Sequence, residues 1–331
     1  MRKAAEDPFR EHEPARLRAR LHVLGGVFTV ESADAELLDL AVEAFGGMPK
    51  HRLERKPHHF TVRLVRTAHA RTWRTSSGPP QPVLSSGAGL LCATVDAGNF
   101  AVVDVPMSRA LIGMSNAMLR HRYHARYELV ELVFLTLAAR ATALVPLHAA
   151  CAGTNGNCVL LMGASGTGKS TLSLHALAGG MQLVSEDSAF VELDGNRVTG
   201  VPNYLHLGPQ ALRFLQSKEL RRSIESSPII ERRSGARKFE VDLRRIPGRI
   251  ARVPPRLAAI VLLSRRAAGQ KSPLRTLERG ALLARLRREQ PYASAQPNWS
   301  AFERRIVDVP AYELRRTDPD AAVRQLRLLL R

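Results

Sequence analysis

GASGTGKST, Gly163 to Thr171, fits G-x-x-x-x-G-K-[ST] at every defined position. Each residue type in it has a physical reason. Gly163, Gly166 and Gly168 let the backbone close around an anion without Cβ clashes. The exposed N–H groups of Ser165, Gly166, Thr167, Gly168 and the residues that follow, with the N-terminus of the next helix, point at phosphates. Lys169 is expected to extend into a solvent-filled loop and reach the outer phosphates. The hydroxyl of Ser170, followed by Thr171, is a hard oxygen ligand suited to Mg²⁺. The apolar run VLLMG before the loop reads as a strand, and STLSLHALAGG after it reads as a helix stopped by Gly179-Gly180. Strand, phosphate loop, helix points to a nucleoside triphosphate site in an α/β domain.

Working outward, LHAACAG and CVLLMG are two apolar strands joined by a TNGN turn. On this reading the first strand hairpins onto the phosphate-loop strand and carries His148. Downstream, MQLV is the next strand and ends in Glu186 and Asp187, 17 and 18 residues after Lys169. Placed beside the phosphate-loop strand, MQLV delivers both carboxylates to the phosphates. One suits Mg²⁺, directly or through water, and the other suits acceptance of a proton from an attacking hydroxyl. His148 is placed to orient or tune that base. SAFVELDGNRVTG continues as a hairpin, LAAIVLLSR is another buried strand, and ALLARLRREQ and DAAVRQLRLLL are amphipathic helices.

Residues 1–140 read as a small α+β unit. LHVLGGVFTV has β character, and SADAELLDLAVEAF is a helix with Ser32 or Asp34 as its N-cap. HHFTVRLVRT is a strand, and LLCATVDAGNFAVVDVP is a hairpin across Gly98-Asn99. The Pro/Gly/Ser-rich stretch Arg74–Gly89 reads as a loop, and Tyr127–Ala143 as an apolar helix. This unit is expected to position substrate or mediate assembly, while residues 141–331 carry the chemistry.

The bulk numbers set limits. The chain has 331 residues, 45% of them apolar, enough for a sizeable core and two units. Its longest apolar run falls short of the ~20 residues of a membrane span. The charged stretch MRKAAEDPFREHEPARLRARL lacks the apolar centre of a signal peptide, so the expectation is a soluble cytoplasmic protein with no membrane partner. Cys92, Cys151 and Cys158 make neither a disulfide framework nor a metal site, and a cytoplasmic location favours reduced core thiols. The formal net charge is +19, but aromatics are only 5%. Without basic–aromatic interleaving, no specific nucleic-acid partner is expected. Lys218–Arg256 concentrates twelve basic against five acidic residues. Within it, Arg237 or Lys238 is a candidate cation clamp on a transferred phosphoryl group, and the remaining arginines, Arg232 and Arg233 among them, would steer an acidic peptide.

Read together, LHAACAGTNGNCVLLMGASGTGKSTLSLHALAGGMQLVSEDSAFVE, His148 to Glu192 within it, resembles the catalytic core of HPr kinase/phosphorylase and its kinase relatives. The shared pattern is a His-containing strand, a short hairpin, a phosphate loop and helix, then a strand ending in paired acids. The resemblance implies a P-loop kinase domain of the phosphoenolpyruvate carboxykinase type. It also implies ATP and Mg²⁺ as cofactors, nucleotide and metal roles for Lys169 and Ser170, Asp187 as base, Glu186 as the Mg²⁺-side acid and His148 as their partner. It departs from the family where Glu186 replaces the first of two Asp and Thr171 stands in place of Glu. An Arg-containing signature is also missing. Those departures point away from HPr and toward the peptide-modifying members, including lasso-peptide kinases that phosphorylate a precursor's serine. The implied activity is phosphoryl transfer from ATP to a hydroxyl of Ser in a protein or peptide, in a chain that assembles as some relatives do, as a homo-oligomer. The alternatives from another class are a P-loop ATPase or nucleotide switch, and a nucleotide-binding scaffold without phosphotransfer. The chain has no evident LSGGQ-like or N-K-x-D motif.

Overall fold

The computed structural model describes residues 16–68, 73, 78–246, 248–269 and 272–331. The charged leader before residue 16 lies outside them. The chain is mixed α/β with several sheets, and it divides into two compact units. One comprises residues 1–47 with 57–142, the other residues 48–56 with 143–331. Among the described residues no helix is long and apolar enough to cross a membrane.

The first unit is built on a seven-stranded sheet in the order Leu17–Val23, Gly26–Ser32, His59–Thr67, Arg109–Ser115, Asn99–Asp104, Leu90–Asp96, Val83–Gly87. The helix Ala35–Phe45 is capped by Asp34, whose carboxylate accepts from the N–H of Glu36 and Leu37. It packs with Leu132–Ala141 against the sheet through stacked Phe28, Phe60, Phe134 and Phe45, with ring centroids 4.5 to 4.8 Å apart. The apolar helix is preceded by a π-helical stretch, Ala125–Glu131. Val83–Gly87, read from sequence as loop, is an edge strand whose five residues are all exposed. An exposed strand has no apolar alternation to give it away.

Residues 48–56, placed by sequence with the first unit, belong to the second. The His51 imidazole is held between Thr199 Oγ1 at 2.7 Å and the carbonyl of Ala251 at 3.0 Å. The Glu54 N–H donates to Glu192 Oε1 at 2.7 Å. A nine-residue segment with little apolar periodicity gives no sign of such long-range polar anchors.

The second unit's larger sheet runs Gln182–Ser185, Ala150–Thr154, Asn157–Met162, Arg256–Ala267, Ala311–Arg316, Leu274–Thr276, and from Arg256–Ala267 it also branches through Arg197–Gly200 and Ser188–Glu192 to Val145–His148. Asn157–Met162 is parallel to Arg256–Ala267, with Met162 opposite Leu262. Alternate residues of Asn157–Met162 face opposite cores. Val159 and Leu161 pack with Leu172, Leu174 and Leu326, while Leu160 and Met162 pack with Leu286, Trp299 and Phe302. Both faces are covered, so the strand reads as a continuous apolar run.

The strand pairing differs from the sequence expectation in two places. Gln182–Ser185 pairs with Ala150–Thr154, not with the phosphate-loop strand. The hairpin partner occupies that side. The His148 strand is also not one piece. Ala150–Thr154 hairpins onto Asn157–Met162, whereas Val145–His148 pairs antiparallel with Ser188–Glu192. Both chain passes break at the same place, around Ala149 and around Glu186-Asp187. The Ala149 N–H donates to the Asp187 carbonyl at 3.1 Å, and the Ser185 hydroxyl donates to the Ala149 carbonyl at 3.4 Å. The corner this makes brings His148, Glu186 and Asp187 together.

Candidate nucleotide and phosphoryl-transfer site

Met162 ends its strand and the chain turns at Gly163, Gly166 and Gly168, with φ of 153°, 77° and 100°. L side chains are strained at such angles, so glycine is needed. A Cβ at Gly163 would also lie 2.8 Å from Thr167 Oγ1 and 3.2 Å from Leu263. The Thr167 hydroxyl donates to the Ala164 carbonyl at 2.8 Å and braces the turn from within. Helix Lys169–Ala178 starts directly after Gly168. Arg265, at the end of the neighbouring parallel strand, donates to the Ser165 carbonyl at 2.8 Å.

Beside the loop lies a cavity of about 380 Å³, lined by Ser165, Gly166, Gly168, Lys169, Ser170 and Thr171 on the loop side. His148, Glu186, Asp187, His206, Arg232 and Lys238 line the rest with Gly208, Gln210 and Ala211. The residues singled out from sequence thus meet in one place, with three differences. Gly163 and Thr167 shape the loop rather than face the cavity. Lys169 is not in open solvent. Its side chain is buried and Nζ donates to the Gly163 carbonyl at 2.7 Å, closing the loop on itself. Burial pulls the Lys169 ammonium below its ordinary range, and the charges of Asp187, Glu186 and Glu289 oppose that pull. Of the two candidate clamp residues, Lys238 lines the cavity and Arg237 is exposed elsewhere, because successive residues of the strand Arg237–Asp242 point to opposite faces.

The two acids play different parts. Glu186 is 8% exposed and both of its oxygens are engaged. Oε1 accepts from the Ser170 hydroxyl at 2.7 Å, and Oε2 lies 3.5 Å from His206 Nδ1. His206 in turn meets Glu240 Oε1 through Nε2 at 3.1 Å. Burial alone would raise the Glu186 carboxyl, but the bonds from His206 and Ser170 and the charge of Arg232 hold it below its usual range. Burial likewise would lower His206, and its two carboxylate partners raise it instead. Asp187 faces the opening. Its Oδ1 is 3.2 Å from His148 Nε2, and the two side chains are 34% and 56% exposed.

Sequence reasoning missed His206, Glu240 and Gln290. A polar residue inside the apolar strand YLHL and an acid inside FEVDL were the available signals. Their pairing across 34 residues is visible only once Tyr204–Leu207 lies antiparallel to Arg237–Asp242, with His206 opposite Glu240.

The residues fit a triphosphate and its divalent ion. The glycine turn leaves open space where a Cβ would sit on Gly168, and the loop N–H groups and Lys169 supply positive potential. Among the described residues no cluster of three or more His, Cys, Asp or Glu forms a ready-made metal cage. A Mg²⁺ carried in by a nucleotide would need no such cage, and the Ser170 hydroxyl would be the oxygen that this chain offers it.

No family model matches the chain, and no curated protein matches it. Among solved structures, the HPr(Ser) kinase/phosphatase from Coxiella burnetii is similar at 14% identity and a TM-score of 0.31. The match covers 55% of this chain and 93% of that one.

Proposed function

We propose that the chain is an ATP- and Mg²⁺-dependent kinase that transfers the γ-phosphoryl group to a hydroxyl, that of a serine in a protein or peptide. The observation that carries this is the His148–Asp187 pair, 3.2 Å apart and open to the cavity that Lys169 and Ser170 line. A phosphate loop with one buried carboxylate is enough for a nucleotide switch. A second, exposed carboxylate oriented by a histidine is what a hydroxyl acceptor needs.

Bound Mg·ATP would supply the electrophilic phosphorus, with the metal offsetting phosphate charge. The chain's own residues do the rest. The loop N–H groups and the start of helix Lys169–Ala178 hold the phosphates. Lys169 exchanges its bond to the Gly163 carbonyl for a phosphate oxygen. Glu186 keeps the Ser170 hydroxyl aimed at the metal position. An Asp187 carboxylate oxygen takes the proton of the acceptor hydroxyl, and His148 fixes that carboxylate and shares its charge. Lys238 and Arg232, on the facing wall, offset charge that builds on the phosphoryl oxygens. Residues 143–331 contain all of these groups, and the first unit is left to position the substrate or to mediate assembly.

Calorimetric titration with Mg·ATP tests the nucleotide half of this proposal. Lys169→Ala should lose binding while its melting temperature stays near that of the parent, and Asp187→Asn should bind normally. Unchanged affinity in Lys169→Ala would remove the loop from the mechanism.

A further inference from the structure

Val145–His148 is the outermost strand of its group. Ser188–Glu192 pairs with it on one side, and among the described residues no strand pairs with it on the other. In an antiparallel pair, alternate residues turn both N–H and C=O away from the partner. The Ala149 N–H bonds inward to Asp187, so His148 and Pro146 are the outward residues. Pro146 has no N–H to satisfy, which suits an outward edge position. His148 has both groups, and both are taken by one side chain. Gln290 Oε1 accepts from the His148 N–H at 2.7 Å, and Gln290 Nε2 donates to the His148 carbonyl at 3.1 Å.

Gln290 is itself held firmly. It sits at the junction of helices Arg279–Glu289 and Pro291–Ser294 and is 5% exposed. Its N–H bonds to the Leu286 carbonyl at 2.8 Å and its carbonyl accepts from Ser294 at 2.9 Å. The side-chain amide has the same donor and acceptor as a peptide group. It therefore reproduces on one residue the two-point pairing that a neighbouring strand would give.

We propose that Gln290 is a positioning residue: its amide replaces a missing strand and fixes the His148 backbone so that the imidazole meets Asp187. The inference rests on the kinase reading above. The His148 side chain is half-exposed, and its Nε2 meets Asp187. The amide clamp, with the ladder to Ser188–Glu192 on the other side, sets the backbone from which the ring extends to Asp187. Freed of it, His148 would leave Asp187 without its partner while the nucleotide side, held by Glu186, Ser170 and Lys169, stays in place.

The test uses the full chain with ¹⁵N in the histidine rings. The His148 signals are assigned by their loss in His148→Ala, and their response to Asp187→Asn marks the ring's contact with Asp187. In Gln290→Ala they should move toward the Asp187→Asn positions, with Mg·ATP affinity unchanged. Gln290→Glu keeps the acceptor and loses the donor. It should move them part-way, and it is read in the same manner if the alanine variant does not fold.

Turnover is read as transfer of the γ-phosphoryl of labelled ATP to a pooled set of serine-containing peptides. Gln290→Ala should lower kcat about ten- to a hundredfold and leave KM for Mg·ATP within about twofold. Added to His148→Ala, it should have no further effect, since both changes remove one and the same orientation. Unmoved His148 signals in Gln290→Ala, or losses that multiply in the double variant, would overturn the proposal. A parent protein that transfers nothing would count against the kinase reading instead, and the ring signals would then decide the role of Gln290 alone.

Discussion

Glu186→Gln is the change whose consequences the geometry specifies most closely. The new amide keeps an oxygen that can accept from the Ser170 hydroxyl, now 2.7 Å from Oε1. What is lost is the negative charge facing His206, 3.5 Å from Oε2, and the new NH₂ presents a donor to a ring that is itself a donor when charged. Glu240, at 3.1 Å on the other ring nitrogen, remains. Removing one partner of a buried ion pair costs about 3–5 kcal/mol, and with the separation at 3.5 Å and Glu240 still on the ring the second unit should lose at most about 3 kcal/mol where the network is fully charged.

The pH dependence follows from the directions of the shifts. His206 is raised, so its contribution is complete below its unfolded pKa, roughly 6.5, and is lost as pH rises through the folded value. Glu186 is lowered, so its contribution is complete above its unfolded pKa, roughly 4.3, and is lost as pH falls through the folded value. The stability difference between parent and Glu186→Gln should therefore peak between about pH 4.5 and 6.5 and shrink on both sides. Urea unfolding followed by the fluorescence of buried Trp299, in a Trp73→Phe background, reads it directly. A difference that does not vary with pH, or that grows above pH 8, would refute the charged network. The same substitution should raise KM for Mg·ATP, with partial recovery in excess Mg²⁺.

Three further outcomes are expected. Asp187→Asn cannot take a proton and should lower kcat about 10²–10⁴-fold, with Mg·ATP affinity by calorimetry nearly unchanged. Lys238→Ala should reduce kcat at least about tenfold while Arg237→Ala, one residue away and facing out, stays near the parent, as steady-state rates of the two side by side will show. Gly163→Ala should abolish nucleotide binding, because its Cβ would meet Thr167 Oγ1 at 2.8 Å on a backbone with φ of 153°. A variant that still binds would mean that the loop tolerates distortion.

The phosphate loop was legible because its constraints are local. Three glycines, a lysine and a serine at fixed spacing, between an apolar run and a helix, need no long-range information. The paired acids and His148 were legible as candidates for the same reason. Their route to the site was not. Sequence placed Gln182–Ser185 beside the loop strand, yet the acids arrive because two antiparallel chain passes, paired on both sides of the corner, break together at Ala149 and at Glu186-Asp187. Neither break carries a glycine or proline to announce it. Gln290 was illegible in a stronger sense, since it lies 142 residues from His148 in an arginine-rich helical stretch. Lys238 and Arg237 are chemically alike and adjacent, and only strand alternation separates the one that faces the cavity.

The central claim is that Asp187, beside an occupied phosphate loop, takes a proton from a hydroxyl acceptor. Its most direct measurement follows γ-labelled ATP with Mg²⁺ in the presence of the pooled serine-containing peptides. Acid-stable label should appear on serine oxygen in the peptide, be absent with Lys169→Ala and fall about 10²–10⁴-fold in rate with Asp187→Asn. Label released only as free phosphate, at equal rates in the parent and in Asp187→Asn, would contradict it.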